Sequence, residues 1–162
     1  MIRLPCRRLL SSLTHVDSQG NAAMVDVRNK PETNRKAIAV SSITVNKAAF
    51  ESIQNDTNKK GSVLTVAKIA GIQAAKQTSS LIPLCHQINL SHLEISFSSD
   101  SQTRTISVQC EARCTGQTGV EMEALVGASL ATLTVYDMCK ALDSTAVIRD
   151  TRLLSKSGGT SK

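Results

Sequence analysis

Hydrophobic and polar positions along the chain fall into a succession of short alternating and helical runs. From Ala37 to Val45 the residues AIAVSSITV are β-branched and partly alternating, which predicts a strand. Lys47 to Asn55 predicts a short helix. Lys59 to Ser62 is a loop, with Gly61 or Ser62 placed to cap the next helix. From Val63 to Thr78 the positions Val63, Val66, Ala67, Ala70 and Ala74 recur at helical spacing, and Pro83 closes that region. Leu93–Phe97 and Arg104–Cys114 both alternate, the second with Ile106, Val108, Cys110 and Ala112 on one face. The turn residues at Asp100-Ser101 make the pair a hairpin. Gly116 and Gly119 break the chain before a long helix, Glu121 to Leu142, and Thr145–Leu154 reads as a last strand.

With the two early helices counted as one crossover layer, the order is βαββαβ. This is the ferredoxin-like α+β arrangement, a four-stranded antiparallel sheet with helices on one face. The other face has no chain left to cover it, which predicts a second subunit there. Residues 37–162 form one domain. Residues 13–36 are polar and turn-rich, with Gly20 and Pro31 as breakers, and read as a mobile segment, either a flap over a site or a loose terminus. Residues 1–12 hold three Arg, two Ser and no acid, the composition of a mitochondrial targeting segment directing the chain to the matrix. A plain basic terminus, with a cytoplasmic location, is the alternative. No run of about 18 apolar residues occurs, so no membrane span is predicted.

Composition changes the picture in two ways. Hydrophobic residues make up 41% but aromatics only 2%, so the core must be filled by Ile, Val, Leu and Ala. A sheet that binds RNA stacks bases on aromatics, and Phe97 alone would serve, which excludes a nucleic-acid module. The net charge of +6 is spread singly and fits either an anionic ligand or a solvated basic surface. The five cysteines are odd in number and scattered, so they read as free thiols, Cys110 and Cys114 as core residues of one strand face. Cys85 and His86 are metal-ligating types, but adjacent ligands with no CxxC pair elsewhere argue against a metal site.

Candidate chemistry lies at element ends. Lys60 precedes a helix N-terminus, an arrangement that favours phosphate, although no GxxxxGK[ST] loop is present. His86 follows an apolar segment and is either a hydrogen-bonded structural histidine or an acid/base group. Glu121 and Glu123 open the long helix; capping explains both, and two-residue spacing points them about 200° apart. Asp137 and Lys140, three apart on one helix face, are either a surface ion pair or, at the border of an apolar helix, a desolvated acid/base pair.

Several stretches resemble a known family. They are LTHVDSQGNAAMVDV (Leu13 to Val27), TNRKAIA (Thr33 to Ala39), KKGSVL (Lys59 to Leu64) and AKIAGIQAAKQTSSLIPLCH (Ala67 to His86). TGVEMEAL (Thr118 to Leu125), LTVYDMCKA (Leu133 to Ala141) and RLLSKSGG (Arg152 to Gly159) complete the set. In this order they resemble the cyclic pyranopterin monophosphate synthase family, molybdenum cofactor biosynthesis protein C. The resemblance implies conversion of a cyclic dihydroguanosine triphosphate, supplied by a radical enzyme, to cyclic pyranopterin monophosphate and pyrophosphate, a lyase reaction. It implies a homohexamer, a trimer of dimers, with the site at a subunit interface. No resident cofactor is implied; Mg²⁺ can accompany the triphosphate. The implied catalytic residues are Asp137, Lys60 and Lys140, the aspartate orienting or protonating. A lysine whose pKa is lowered among neighbouring cations would act as base. The implied substrate-binding residues are Leu84, Cys85, His86, Glu121, Met122, Glu123, Lys156 and Arg35. Three positions depart from the family pattern: Ser62 stands for Asp, Gln87 for Pro, and Thr160 for a tail lysine.

Overall fold

A computed structural model describes residues 15–17 and 19–159. The targeting reading of Met1–Ser12 and the departure at Thr160 lie outside the described residues. The elements are β1 Thr33–Thr44, α1 Lys47–Gln54, α2 Val63–Lys76, α3 Thr78–Leu81, β2 His92–Asp100, β3 Thr105–Gly116, α4 Glu121–Cys139, β4 Val147–Ile148 and β5 Arg152–Ser157. The sheet is antiparallel in the order β2-β3-β1-β4, with β5 also paired to β1. This is the ferredoxin-like order, but with five strands where four are expected. The last strand divides because Arg149 to Thr151 leaves the ladder. There the Arg149 amide donates to Ser42 O at 2.7 Å and the Thr151 hydroxyl to Ser41 Oγ at 3.0 Å. Beyond that break β5 resumes with a register shift opposite Ile38/Ala39.

β1 begins at Thr33, not Ala37, so the tail of the segment read as mobile is strand, paired residue by residue with β3 up to Gly116. α2 and α4 stop at Lys76 and Cys139, short of the expected Thr78 and Leu142. Both helices cover the face of the sheet made by Ala37, Ala39, Ile43, Ile95, Val108, Cys110 and Ala112, all buried. Among the described residues no leucine is buried; Ala, Val, Ile and Cys fill the core instead. Small side chains let α2 and α4 cross closely: a Cβ on Gly71 would lie 2.7 Å from Gly127 O, and one on Gly127 2.7 Å from Cys110 Sγ.

The opposite face of the sheet is mostly polar at β2 and β3, with Ile38 and Val40 of β1 at its centre. Side chains alternate along a strand, so it carries Ser107, Gln109, Glu111 and Arg113 of β3 with His92, Glu94 and Ser96 of β2. Across β1, β2 and β3 the apolar part of that face is confined to β1, where Ile38 and Val40 are half-buried. Exposed apolar side chains lie on the helices, Met122 and Leu133 of α4 and Val66 and Ile69 of α2, and on the short strands, Val147 and Ile148 of β4 and Leu154 of β5. No helix among the described residues is long and apolar enough to cross a membrane.

Candidate active site

The residues singled out in the sequence gather at the two ends of α4. At its C-terminal end, the loop before α2 is docked by Asn58, whose side-chain amide donates to Met138 O at 3.2 Å while its Oδ1 accepts the Lys60 amide at 2.9 Å. Gly61, at φ 97°, then turns the chain. Lys60 Nζ consequently reaches the exit of α4, donating to Asp137 O at 2.9 Å and lying 3.4 Å from Asp137 Oδ2. Lys140 Nζ sits 2.7 Å from Asp137 Oδ1. Ammonium groups at a helix C-terminus are favoured by its dipole. Beside these residues a cavity of about 660 Å³ opens between α1 and the exit of α4.

This trio is not desolvated: Asp137 and Lys140 have side chains 57% and 55% exposed. The Lys140 hydrogen bond, then the charges of Lys140 and Lys60, hold the Asp137 carboxyl below its ordinary range. Asp137 in turn pushes the Lys140 ammonium up. For Lys140 the shift runs opposite to the lowering expected among neighbouring cations, because an aspartate faces it. The arrangement supplies an ionised carboxylate braced between two ammonium groups.

The N-terminal end of α4 carries a second group. Lys156 Nζ on β5 lies 3.2 Å from Glu121 Oε1. Arg35 on β1 donates to Gly116 O at 3.2 Å and Gln117 O at 3.3 Å. With Lys30 and Lys36 these two cations line a cavity of about 200 Å³, a setting suited to phosphate. Lys36 is also bound 2.9 Å from Glu111, whose carboxyl this bond holds low.

An adjoining cavity of about 140 Å³, sharing Thr118, Gly119 and Glu121, is lined by Leu84, Cys85, His86, Met122 and Glu123, and by His15. Both glutamates therefore meet one cavity, against the expectation from their spacing. Gly119 is the reason. Its missing side chain leaves room for the Glu121 carboxylate to fold back, whose Cδ would lie 2.7 Å from a Cβ there. Glu123 is 4% exposed and its Oε2 has no hydrogen-bond partner. Burial pushes its carboxyl up, as does the charge of Glu121. Burial and Glu123 likewise push the Cys85 thiol up, so this cysteine is not an activated nucleophile. His86 Nε2–H donates to Val25 O at 2.7 Å, the hydrogen-bonded reading of that residue.

Sequence reasoning missed His15, Lys30, Lys36 and Lys76. Lys76 lines a fourth cavity, about 330 Å³, with Glu123. Its only signal was a charge in the last turn of α2, which carries a second lysine at Lys68. His15 and Lys30 lay in the segment set aside as mobile. Among the described residues no three His, Cys, Asp or Glu side chains gather as a metal-holding group.

The two ends do not meet within one chain. Sixteen residues of α4 separate Glu121 from Asp137, about 24 Å at 1.5 Å per residue.

The sequence model of the MoaC family matches residues 24–159. "Cyclic pyranopterin monophosphate synthase" of Staphylococcus carnosus is 52% identical over 153 residues, 94% of this chain and 95% of that protein. The protein of the same name from Chloroflexus aggregans is 49% identical over 152 residues, 94% of this chain and 92% of its own. "Molybdenum cofactor biosynthesis protein 1" of Mus musculus is 50% identical over 149 residues, 92% of this chain; the chain spans only 23% of that longer relative. Matches of this extent and identity, over a chain folded as above, place it: the chain belongs to the MoaC family.

Proposed function

We propose that this chain is a cyclic pyranopterin monophosphate synthase, an enzyme of molybdenum cofactor biosynthesis acting as a lyase. Its substrate is the cyclic dihydroguanosine triphosphate that a radical enzyme makes, and its products are cyclic pyranopterin monophosphate and pyrophosphate. The observation that carries this reading is the pair of adjoining cavities at the start of α4, one lined by cations and one by carboxylates. The cations suit a triphosphate, with any Mg²⁺ arriving on it as part of the substrate. Carboxylate oxygens suit the ring N–H and amino donors of a guanine-derived heterocycle.

Closing a cyclic phosphate joins a sugar oxygen to the α-phosphorus and breaks its bond to pyrophosphate. The leaving charge needs ammonium groups, which Lys60 and Lys140 supply beside Asp137. Asp137, held ionised, orients donors and accepts a proton; it is not a resident acid. For both ends of α4 to act on one substrate, two copies must contribute. A two-fold pairing of α4 along its exposed Met122–Leu133 face runs the helices antiparallel and sets Asp137 of one copy beside Glu121 of the other. Three such dimers make the hexamer. The mitochondrial matrix, with the cytoplasm as alternative, remains the proposed location.

Turnover of the cyclic triphosphate by purified protein tests the reaction. Wild type releases pyrophosphate and Asp137→Asn, equally folded, does not. Full turnover by the variant removes Asp137 from the mechanism.

A further inference from the structure

Residues 19–30 cross from one cavity to the other at the start of α4. They leave a tight turn closed by Asp17, which accepts the amides of Gln19 at 2.8 Å and Asn21 at 2.9 Å. Val16 pairs with Ala22, and the Ala23 amide donates to His15 O at 3.0 Å. This loop sets His15 at the wall of the carboxylate cavity, which Glu121 and Glu123 also line. Farther along, Gln117 Nε2 donates to Arg28 O at 3.3 Å, and Lys30 lines the cation cavity. Between those points, among the described residues, one side-chain bond from elsewhere in the fold holds the segment, from His86 Nε2–H to Val25 O at 2.7 Å.

We propose that His86 is a positioning residue that latches residues 19–30 across the two cavities, and that the latched segment delivers His15 to the heterocycle end of the site. This rests on the functional reading above, since His15 then faces the reduced guanine-derived ring. It adds an imidazole to the two glutamates, so that end of the site holds a group able both to donate and to accept. His86, with Nε2–H committed to a carbonyl, acts through the segment it holds.

The latch is read without substrate. In full-length protein, His86→Ala speeds hydrogen exchange at the Ala23 and Lys30 amides about tenfold, the loss expected for one partly buried hydrogen bond. His86→Gln, whose side-chain N–H can reach the same carbonyl, restores slow exchange. In turnover assays His86→Ala raises KM about tenfold with a smaller change in kcat, and His86→Gln recovers it. His15→Gln leaves exchange at wild-type rates yet impairs turnover. Unchanged exchange in His86→Ala overturns the latch, and wild-type kinetics in His15→Gln overturns the delivery of that residue. A wild type that turns over no cyclic triphosphate contradicts the proposed function, while the exchange comparison still decides the latch.

Discussion

At the scale of single residues, Glu123 and Asp143 are opposed cases of a buried carboxylate. Glu123 is buried with one oxygen unpartnered, so its folded pKa lies above the ordinary 4.5. Its contribution to stability is therefore full below that value and is lost as pH rises through the raised one. Glu123→Gln should stabilise the fold at pH 8 by about 1 kcal/mol, a Tm rise of about 2–4 °C, with little change near pH 4, while turnover falls. Thermal melts at the two pH values check this. Burial also acts against Asp143, but its carboxylate accepts Thr145 Oγ1 at 2.7 Å and the amides of Asn46 and Thr145 at 2.5 and 2.9 Å. These bonds hold its pKa below 3.8. Its contribution is present above the unfolded value and disappears as pH falls through the folded one. Asp143→Asn should cost about 2 kcal/mol at pH 7 and progressively less below pH 4, as denaturant midpoints will show. Neither role was legible in the sequence, because a carboxylate's pKa depends on donors from distant segments, as Asn46 is to Asp143.

At the scale of elements, the periodic pattern located each principal helix and strand, because one-sided burial imposes its period on the sequence. The ends were less legible. Thr33 to Lys36 are polar and read as loop, yet the β3 ladder continues through them. The last strand read as continuous, yet Arg149 to Thr151 turns away to bond Ser41 and Ser42. Such breaks depend on which partner backbone is nearby, and local propensity does not encode that. The packing of α2 on α4 yields a sharper expectation. Gly127 faces Cys110 Sγ at 2.7 Å from where a Cβ would stand, with Ala75 Cβ at 3.3 Å. Gly127→Ala should push α4 off the sheet and cost about 1–3 kcal/mol, seen as a lower Tm at unchanged far-UV circular dichroism.

At the scale of the whole molecule, the site residues were legible as types and positions, but their separation into two groups was not. A spacing of sixteen residues is silent about distance until the intervening segment is known to be one continuous helix. Once it is, Lys60, Asp137 and Lys140 stand about 24 Å from Glu121 and the cation cavity, and a site using both requires a second copy. Leu133→Arg, in the exposed face between them, should break the assembly and lower turnover together, as light scattering and assay on the same sample will show. A monodisperse oligomer with full activity would move the interface elsewhere. The central claim is that one site, completed by opposite ends of α4 from two copies, performs the cyclisation. Co-expression of Asp137→Asn with Glu121→Gln, each inactive alone, tests it most directly. Random pairing makes half the dimers mixed, each with one intact site of two, so turnover should return to about a quarter of wild type. No recovery from a mixed, folded oligomer would contradict the account.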